Sequence, residues 1–131
     1  MFADLNARKI YQMQLDSVNV KPIAIPFEKN TKISRPVALE YDRIDDRVYW
    51  SDVALLTISR AFRNGTGFEV IFDNVGIVSG LTIDMTARQL YWTSESKNTL
   101  ETARLDGSFR KTLVKWYLYK PRDVIVDAIS G

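Results

Sequence analysis

The sequence predicts an all-β protein built from repeated units of four short antiparallel strands. One observation is a repeated phrase: RVYWSD at residues 47–52 returns as QLYWTS at residues 89–94, a period of about 42 residues. The second is local pattern. No window of a dozen residues keeps a helical period, whereas short runs rich in β-branched and aromatic residues alternate with turn-forming residues.

Each repeat contains four strand-like runs in the same order. Asn64-Gly65 and Asp106-Gly107 lie between the third and fourth runs, and such pairs are typical of tight hairpin turns. Four strands in about 42 residues are typical of a β-propeller blade, a small sheet that buries its faces against neighbouring blades. The predicted runs are residues 37–41, 48–50, 57–62 and 68–72 in the first repeat and 81–83, 90–93, 100–105 and 112–114 in the second.

Composition and charge exclude several functions. The 131 residues are 46% hydrophobic and 26% charged, which is typical of a folded domain with one modest core. The net charge is only +2 with the cations dispersed among the acids, so no nucleic-acid partner is expected. Histidine and cysteine are both absent, which excludes an imidazole switch for ligand release in acid and any thiol chemistry within this chain.

Targeting signals are also missing from the sequence. It contains no apolar run long enough to cross a bilayer and no pattern typical of a signal peptide. If the protein is extracellular, we expect this chain to be part of a longer one, and any membrane contact to come only through the missing parts.

Three sequence features resemble one known repeat. They are the phrase YW[ST][DS], the apolar run that ends in Asp seven residues before each Tyr, and LDGSFRKTL at residues 105–113. Together they resemble the low-density lipoprotein receptor class B repeat, also called the YWTD repeat. The resemblance covers nearly the whole chain and implies about half of a six-bladed propeller. It places strands two to four of an opening blade in residues 1–35, complete blades in 36–78 and 79–120, and the first strand of a next blade in 121–131.

The repeated motif residues are expected to be structural. The two Trp side chains suit packing between blades, and Asp52 is suited to accept hydrogen bonds from nearby backbone amides. Ser94 stands where the family has Asp, so the second blade is expected to be held less firmly than the first. The motif set is Asp42, Tyr49, Trp50, Asp52, Asp84, Tyr91, Trp92 and Asp127.

A ligand face is expected where the repeats differ from one another. In an antiparallel blade, the connection between strands two and three emerges on the same side as the connection to the next blade. One such connection reads KWYLYKPR at residues 115–122, where aromatic residues stand beside cations, a composition typical of binding hot spots. The alternative is that Trp116 or Leu118 packs against the blade below. The candidates are Leu56, Ser79, Glu95, Trp116, Tyr117, Tyr119 and Arg122.

The resemblance also bears on the ligand. In Wnt-coreceptor relatives this face binds peptide ligands, and Leu56 and Ser79 stand where those relatives often carry acidic residues. That difference argues against a ligand of the Wnt-antagonist type. Separately, Asn64-Gly65-Thr66 satisfies the N-glycosylation sequon, which makes Asn64 a glycosylation candidate, although many such triplets stay unmodified.

The resemblance implies a non-catalytic ligand-binding propeller on the extracellular side of the plasma membrane, in a receptor of the lipoprotein-receptor-related class. It would act in endocytosis or signalling, bind a protein ligand, and be completed by further blades and an epidermal-growth-factor-like module. No metal and no cofactor are expected. Two alternatives remain: a matrix-type propeller, similar to that of nidogen, that binds a structural protein, and a lactonase-like propeller enzyme.

Overall fold

The computed structural model of the protein describes residues 1–4, 8–15 and 20–115. These residues form eleven β-strands and no helix, which confirms the all-β prediction. The strands are β1 Phe2–Asp4, β2 Lys9–Leu15, β3 Val20–Ala24, β4 Pro36–Asp42, β5 Arg47–Asp52, β6 Thr57–Phe62, β7 Glu69–Phe72, β8 Val78–Asp84, β9 Gln89–Ser94, β10 Thr99–Arg104 and β11 Lys111–Lys115.

The strands form three antiparallel sheets in which each strand pairs with its neighbours in sequence. An N-terminal sheet has the order β1-β2-β3, and two four-stranded sheets follow, β4-β5-β6-β7 and β8-β9-β10-β11. We call the four-stranded sheets the first blade and the second blade. Both have a register shift at the start of the first strand, between Pro36 and Leu39 in the first blade and between Val78 and Gly80 in the second. The repeat in the sequence is therefore also a repeat in backbone geometry.

The two blades pack face to face through a shared apolar core. Tyr49 and Ile58 of the first blade are fully buried in this core, as are Leu90 and Trp92 of the second. Alternation along each strand produces this arrangement, because successive side chains point to opposite sides of the sheet. A second core joins the N-terminal sheet to the first blade; its buried members are Ile10, Ile25, Val48, Trp50 and Ala61.

The connections between strands divide the blades into two faces. Connections 53–56, 73–77 and 95–98 lie at one end of the strands and form what we call the Leu56 face. Connections 43–46, 63–68, 85–88 and 105–110 lie at the opposite end and form the Asn64 face. Backbone hydrogen bonds link connections within each face: the Val75 amide donates to Leu56 O at 3.1 Å on the first, and the Arg63 amide donates to Asp46 O at 2.9 Å on the second.

Candidate ligand face and repeat-motif residues

The motif tryptophans are packing residues. Trp50 and Trp92 are fully buried. The Trp50 ring lies 5.3 Å from the Phe27 ring, and the Trp92 ring lies 5.0 Å from the Phe72 ring, measured between centroids. Neither indole nitrogen has a hydrogen-bond partner among the described residues. Both side chains therefore act through apolar contact, which accounts for their recurrence once per blade.

Tyr49 and Tyr91 occupy equivalent places with different surroundings. Tyr49 is fully buried between the blades, and burial raises the pKa of its phenol. The Arg60 Nη1 atom donates to Tyr49 Oη at 3.2 Å and to Leu105 O of the second blade at 3.2 Å, and Arg60 also pairs with Glu69. Tyr91 is only partly buried, because it lies on the face of the second blade that no described sheet covers.

Asp52 is a hub for backbone amides. Its Oδ1 atom accepts hydrogen bonds from the amides of Ala54 and Leu55, each at 3.0 Å. Its Oδ2 atom accepts from the amides of Ser34 at 2.6 Å and Arg35 at 3.0 Å. One buried carboxylate thus joins the entry to β4, residues 34–35, to the connection after β5.

At the equivalent position in the second blade, two serines replace the aspartate and accept fewer hydrogen bonds from backbone amides. Ser96 Oγ accepts from the Ile77 amide at 3.0 Å, and Ser94 Oγ lies 3.5 Å from Ser96 Oγ. Gly76 makes room for both hydroxyls, since a Cβ there would lie 2.3 Å from Ser96 Oγ. Sequence reasoning identified the Ser94 difference but missed Ser96, which takes over one of the amide contacts that Asp52 makes in the first blade.

Asp42 is part of an ion pair between the blades. Arg88 of the second blade donates to both carboxylate oxygens of Asp42, at 2.8 Å from Nη1 and 2.5 Å from Nη2, and its Nη2 also contacts Asp45 at 3.2 Å. Burial alone would raise the pKa of Asp42. The hydrogen bonds from Arg88 and from the Ile44 amide outweigh burial and hold that pKa below its ordinary value. Asp42 is fully buried, so this ion pair lies within the interface between the two blades, at the end of the strands that carries the Asn64 face.

Asp84, the equivalent residue in the second blade, has only local partners among the described residues. Its Oδ1 accepts from the amides of Thr86 at 3.0 Å and Ala87 at 3.1 Å. The Arg88 contact to Asp42 was missed by sequence reasoning because the position equivalent to Arg88 in the first repeat is Asp46. Asp127, the third member of this series, lies outside the described residues.

The structure brings three of the ligand candidates to the Leu56 face. Leu56 has a φ of 57°, a left-handed conformation that is uncommon for a bulky residue. Ser79 Oγ donates to Glu95 Oε1 at 3.0 Å, which joins two of the predicted residues at an exposed site. The other candidates, Trp116, Tyr117, Tyr119 and Arg122, lie outside the described residues.

Exposed apolar side chains lie on this same face. Leu55 is 41% exposed and Ile77 is 42% exposed. The amide of Val75 donates to Leu56 O, and the amide of Glu95 donates to Ile77 O at 2.8 Å, so the connections carrying these residues are joined in series. Sequence reasoning did not single out Leu55 or Ile77, whose exposure follows from the turn geometry.

A groove lies on the uncovered side of the second blade. It has a volume of about 530 Å³. Arg104 lies over the Phe109 ring at 4.1 Å at its margin. The groove is lined by Gln89, Tyr91, Thr102, Arg104, Phe109, Arg110, Lys111 and Leu113.

The described residues contain neither a metal-binding cluster nor a membrane-spanning helix. Within residues 1–4, 8–15 and 20–115, no group of three acidic, histidine or cysteine side chains is placed to hold a metal ion. The same part of the chain contains no helix able to span a membrane.

Comparison with known proteins gives three findings. Residues 88–128 match the family described as low-density lipoprotein receptor repeat class B. Over 97 residues the chain is 37% identical to low-density lipoprotein receptor-related protein 5 of Mus musculus, an alignment that covers 72% of this chain and 6% of that relative. The fold is similar to a chain in the crystal structure of a nidogen/laminin complex, with a TM-score of 0.69, 26% identity, and coverage of 82% of this chain and 41% of that chain. The chain therefore spans a small part of the receptor-related relative and less than half of the solved chain.

Proposed function

This chain is a segment of low-density lipoprotein receptor class B repeats, and from that premise we propose that it is part of a non-catalytic propeller that binds a protein ligand. We place the propeller on the extracellular side of the plasma membrane, in the ectodomain of a lipoprotein-receptor-related protein. The similarity to a receptor-related protein supports this assignment. Further blades and an epidermal-growth-factor-like module would complete the whole protein, which would act in endocytosis or signalling.

The ligand surface in this proposal is the Leu56 face. The observation that carries it is the placement of exposed Leu55 and Ile77 on connections linked by backbone hydrogen bonds, next to the Ser79–Glu95 pair. Exposed apolar side chains grouped on one face beside polar groups are a feature of protein-binding sites. Trp116, Tyr117, Tyr119 and Arg122 would extend the same surface, since β11 ends on this side of the second blade.

The absence of catalysis in the proposal rests on what the repeated acids do. Asp52 accepts hydrogen bonds from four backbone amides, and Asp42 is held by Arg88. Carboxylates engaged in this way have structural partners and are not directed at a substrate. We expect no hydrolysis of ester or lactone substrates by the purified chain, with or without calcium; turnover would revive the lactonase-like alternative.

The test compares two surface variants, one on the Leu56 face and one on the Asn64 face. Peptides are selected from a random display library on the purified chain, and their affinities are then measured for Leu55→Glu with Ile77→Glu and, separately, for Ile44→Glu. Ile44 is 62% exposed on the Asn64 face, so it controls for the loss of an exposed apolar residue elsewhere.

We expect the Leu55 and Ile77 substitutions to weaken binding by roughly tenfold or more and Ile44→Glu to leave it unchanged. Equal binding by both variants, or selective loss with Ile44→Glu, would show that ligands use another surface. The variants need equal urea unfolding midpoints for the comparison.

A matrix-type propeller is the second candidate, and the similarity to the structure of a nidogen/laminin complex favours it. Laminin is the probe for this candidate. Capture of laminin by the chain, lost with the Leu55 and Ile77 substitutions, would select the matrix-type function, whereas absence of capture would leave the receptor function as the better account.

A further inference from the structure

We propose that Asn64 carries an N-linked glycan, and that this glycan lies on the face of the blades opposite to the proposed ligand surface. The inference rests on the proposed function in one respect, since glycan transfer requires that the chain enter the secretory pathway. It goes beyond that function because it assigns a modification site and a solvent-facing role to the Asn64 face.

The acceptor sequence occurs once. Among the six asparagines of the chain, only Asn64 is followed at the second position by Ser or Thr with a residue other than Pro between them. Asn64 and Thr66 are both exposed on the connection between β6 and β7. Nothing in the surrounding packing therefore blocks a bulky substituent on this side chain.

The turn leaves the reactive nitrogen open. Asn64 Oδ1 accepts hydrogen bonds from the Thr66 amide at 3.0 Å and from Thr66 Oγ1 at 2.7 Å. Both contacts use the carboxamide oxygen. Within the part of the chain that the structure describes, Asn64 Nδ2 has no hydrogen-bond partner, so the atom that would bear the glycan is not needed for the turn.

The second blade shows independently that the carboxamide nitrogen is dispensable. There the same turn is built from Asp106-Gly107-Ser108: Asp106 Oδ1 accepts from the Ser108 amide at 2.9 Å and from Ser108 Oγ at 2.6 Å. Gly65 and Gly107 share a φ of 93°. Because an aspartate makes the same turn, the Nδ2 of Asn64 is the chemical difference between the two turns that a glycan would use.

The chemistry of the step is ordinary N-glycosyl transfer. Asn64 Nδ2 would form a bond to the anomeric carbon of a lipid-linked oligosaccharide pyrophosphate, the bond from that carbon to the pyrophosphate oxygen would break, and Nδ2 would lose a proton. The product projects from the Asn64 face. It would cover the surroundings of Ile44 and leave the Leu56 face open to a protein ligand.

The test expresses the full chain behind an added secretion signal in cultured animal cells. The readout is the change in apparent mass on treatment with an amidase that removes N-linked glycans. Asn64→Asp removes the acceptor and keeps the turn, as Asp106 does, and Thr66→Ser keeps the acceptor sequence. Asp106→Asn creates a second acceptor sequence in the matching turn of the second blade, so it reports whether this turn geometry is accepted by the transferase.

We expect the original chain and Thr66→Ser to lose one glycan on treatment, Asn64→Asp to lose none, and Asp106→Asn to lose two. Amidase release in heavy-oxygen water labels the deglycosylated residue, and an identical incubation without the amidase corrects for spontaneous deamidation, since Asn-Gly pairs also deamidate. No mass change in the original chain would overturn the inference, whatever Asp106→Asn shows. Binding of the display-selected peptides is measured on the same samples, so failure of the glycan inference is distinguishable from failure of the proposed function.

Discussion

Asp52 and Ser94 occupy the same position in successive repeats and make unequal numbers of hydrogen bonds. Asp52→Ala would leave four backbone amides without their acceptor, and we expect it to lower the free energy of unfolding by on the order of 2–4 kcal/mol. Ser94→Ala removes one hydroxyl whose nearest polar contact is long, and it should cost less than about 1 kcal/mol. Urea unfolding of the two variants measures this difference, and equal losses would contradict the hub role of Asp52.

The Asp42–Arg88 pair predicts a dependence of stability on pH. The pKa of Asp42 is lowered in the folded state, so its contribution is complete above the unfolded value of about 3.9 and is lost as pH falls through the lower folded value. Asp42→Asn should therefore destabilise the protein strongly at pH 7, and its effect should diminish only as pH falls from about 4 through the lower folded pKa. Urea unfolding from pH 7 down through this acidic range measures the change.

Asp84→Asn is the matched control for that prediction, because Asn keeps an oxygen acceptor for the Thr86 and Ala87 amides and no described cation is lost. We expect it to have a small effect that changes little with pH. A loss at pH 7 as large as that of Asp42→Asn would show that the Arg88 contact adds nothing.

Residue-scale features were predictable where they recur and unpredictable where they pair over long separations. Trp50 and Trp92 were expected to pack between blades because the same large apolar residue returns in each repeat. Arg60 and Arg88 could not be identified, since Leu105 O is 45 residues from the first and Asp42 is 46 residues from the second. Such contacts depend on how one blade lies against the next, which the order of strands alone does not specify.

At the scale of the element, most strands extend the predicted runs at their ends, whereas β7 begins one residue later and β10 ends one residue earlier than predicted. Residues 37–41 were predicted as a strand and β4 includes Pro36 and Asp42, and residues 81–83 became β8, Val78–Asp84. The added ends are held by interactions that hydrophobic pattern does not reveal, such as the amide contacts of Asp52. The sequence prediction for β6, residues 57–62, matches the observed bounds because the turn-forming pair Asn64-Gly65 comes just after the end of this strand.

Gly65, between β6 and β7, and Gly107, between β10 and β11, have the same backbone conformation, but we expect substitution by alanine to destabilise the protein to different extents. A Cβ at Gly65 would lie 2.1 Å from the backbone oxygen of Pro26, whereas a Cβ at Gly107 would lie 2.7 Å from the Cγ2 methyl group of Ile71. Both positions have a φ of 93°, so the backbone strain of an alanine is similar. Gly65→Ala should lower the urea midpoint more than Gly107→Ala, because a backbone atom cannot move aside as a side chain can. An equal or larger effect at Gly107 would mean that the contact with Pro26 relaxes.

At the scale of the whole molecule, the blades are interdependent because each buries its faces only against its neighbours. The first blade is covered on both sides, by the N-terminal sheet and by the second blade. The second blade is covered on one side within the described residues, and its other side carries the groove lined by Tyr91 and Phe109. The repeat period predicted this stacking, but the extent to which each Tyr is covered depends on the neighbouring sheet.

The reactivity of Tyr49 and Tyr91 therefore shows whether a neighbouring blade covers the side of the sheet on which each tyrosine lies. In the 131-residue chain we expect nitration by tetranitromethane to modify Tyr91 and to spare Tyr49, because Tyr49 is fully buried and Tyr91 is partly exposed on the groove. Addition of the next repeat should protect Tyr91, since the equivalent surface of the first blade is covered by the second. Peptide mapping after nitration measures both residues in one sample, and urea-unfolded protein, in which the two should react alike, is the control. Protection of Tyr91 in the 131-residue chain, or continued reaction once the next repeat is attached, would show that this side of the second blade is not the surface on which a further blade packs.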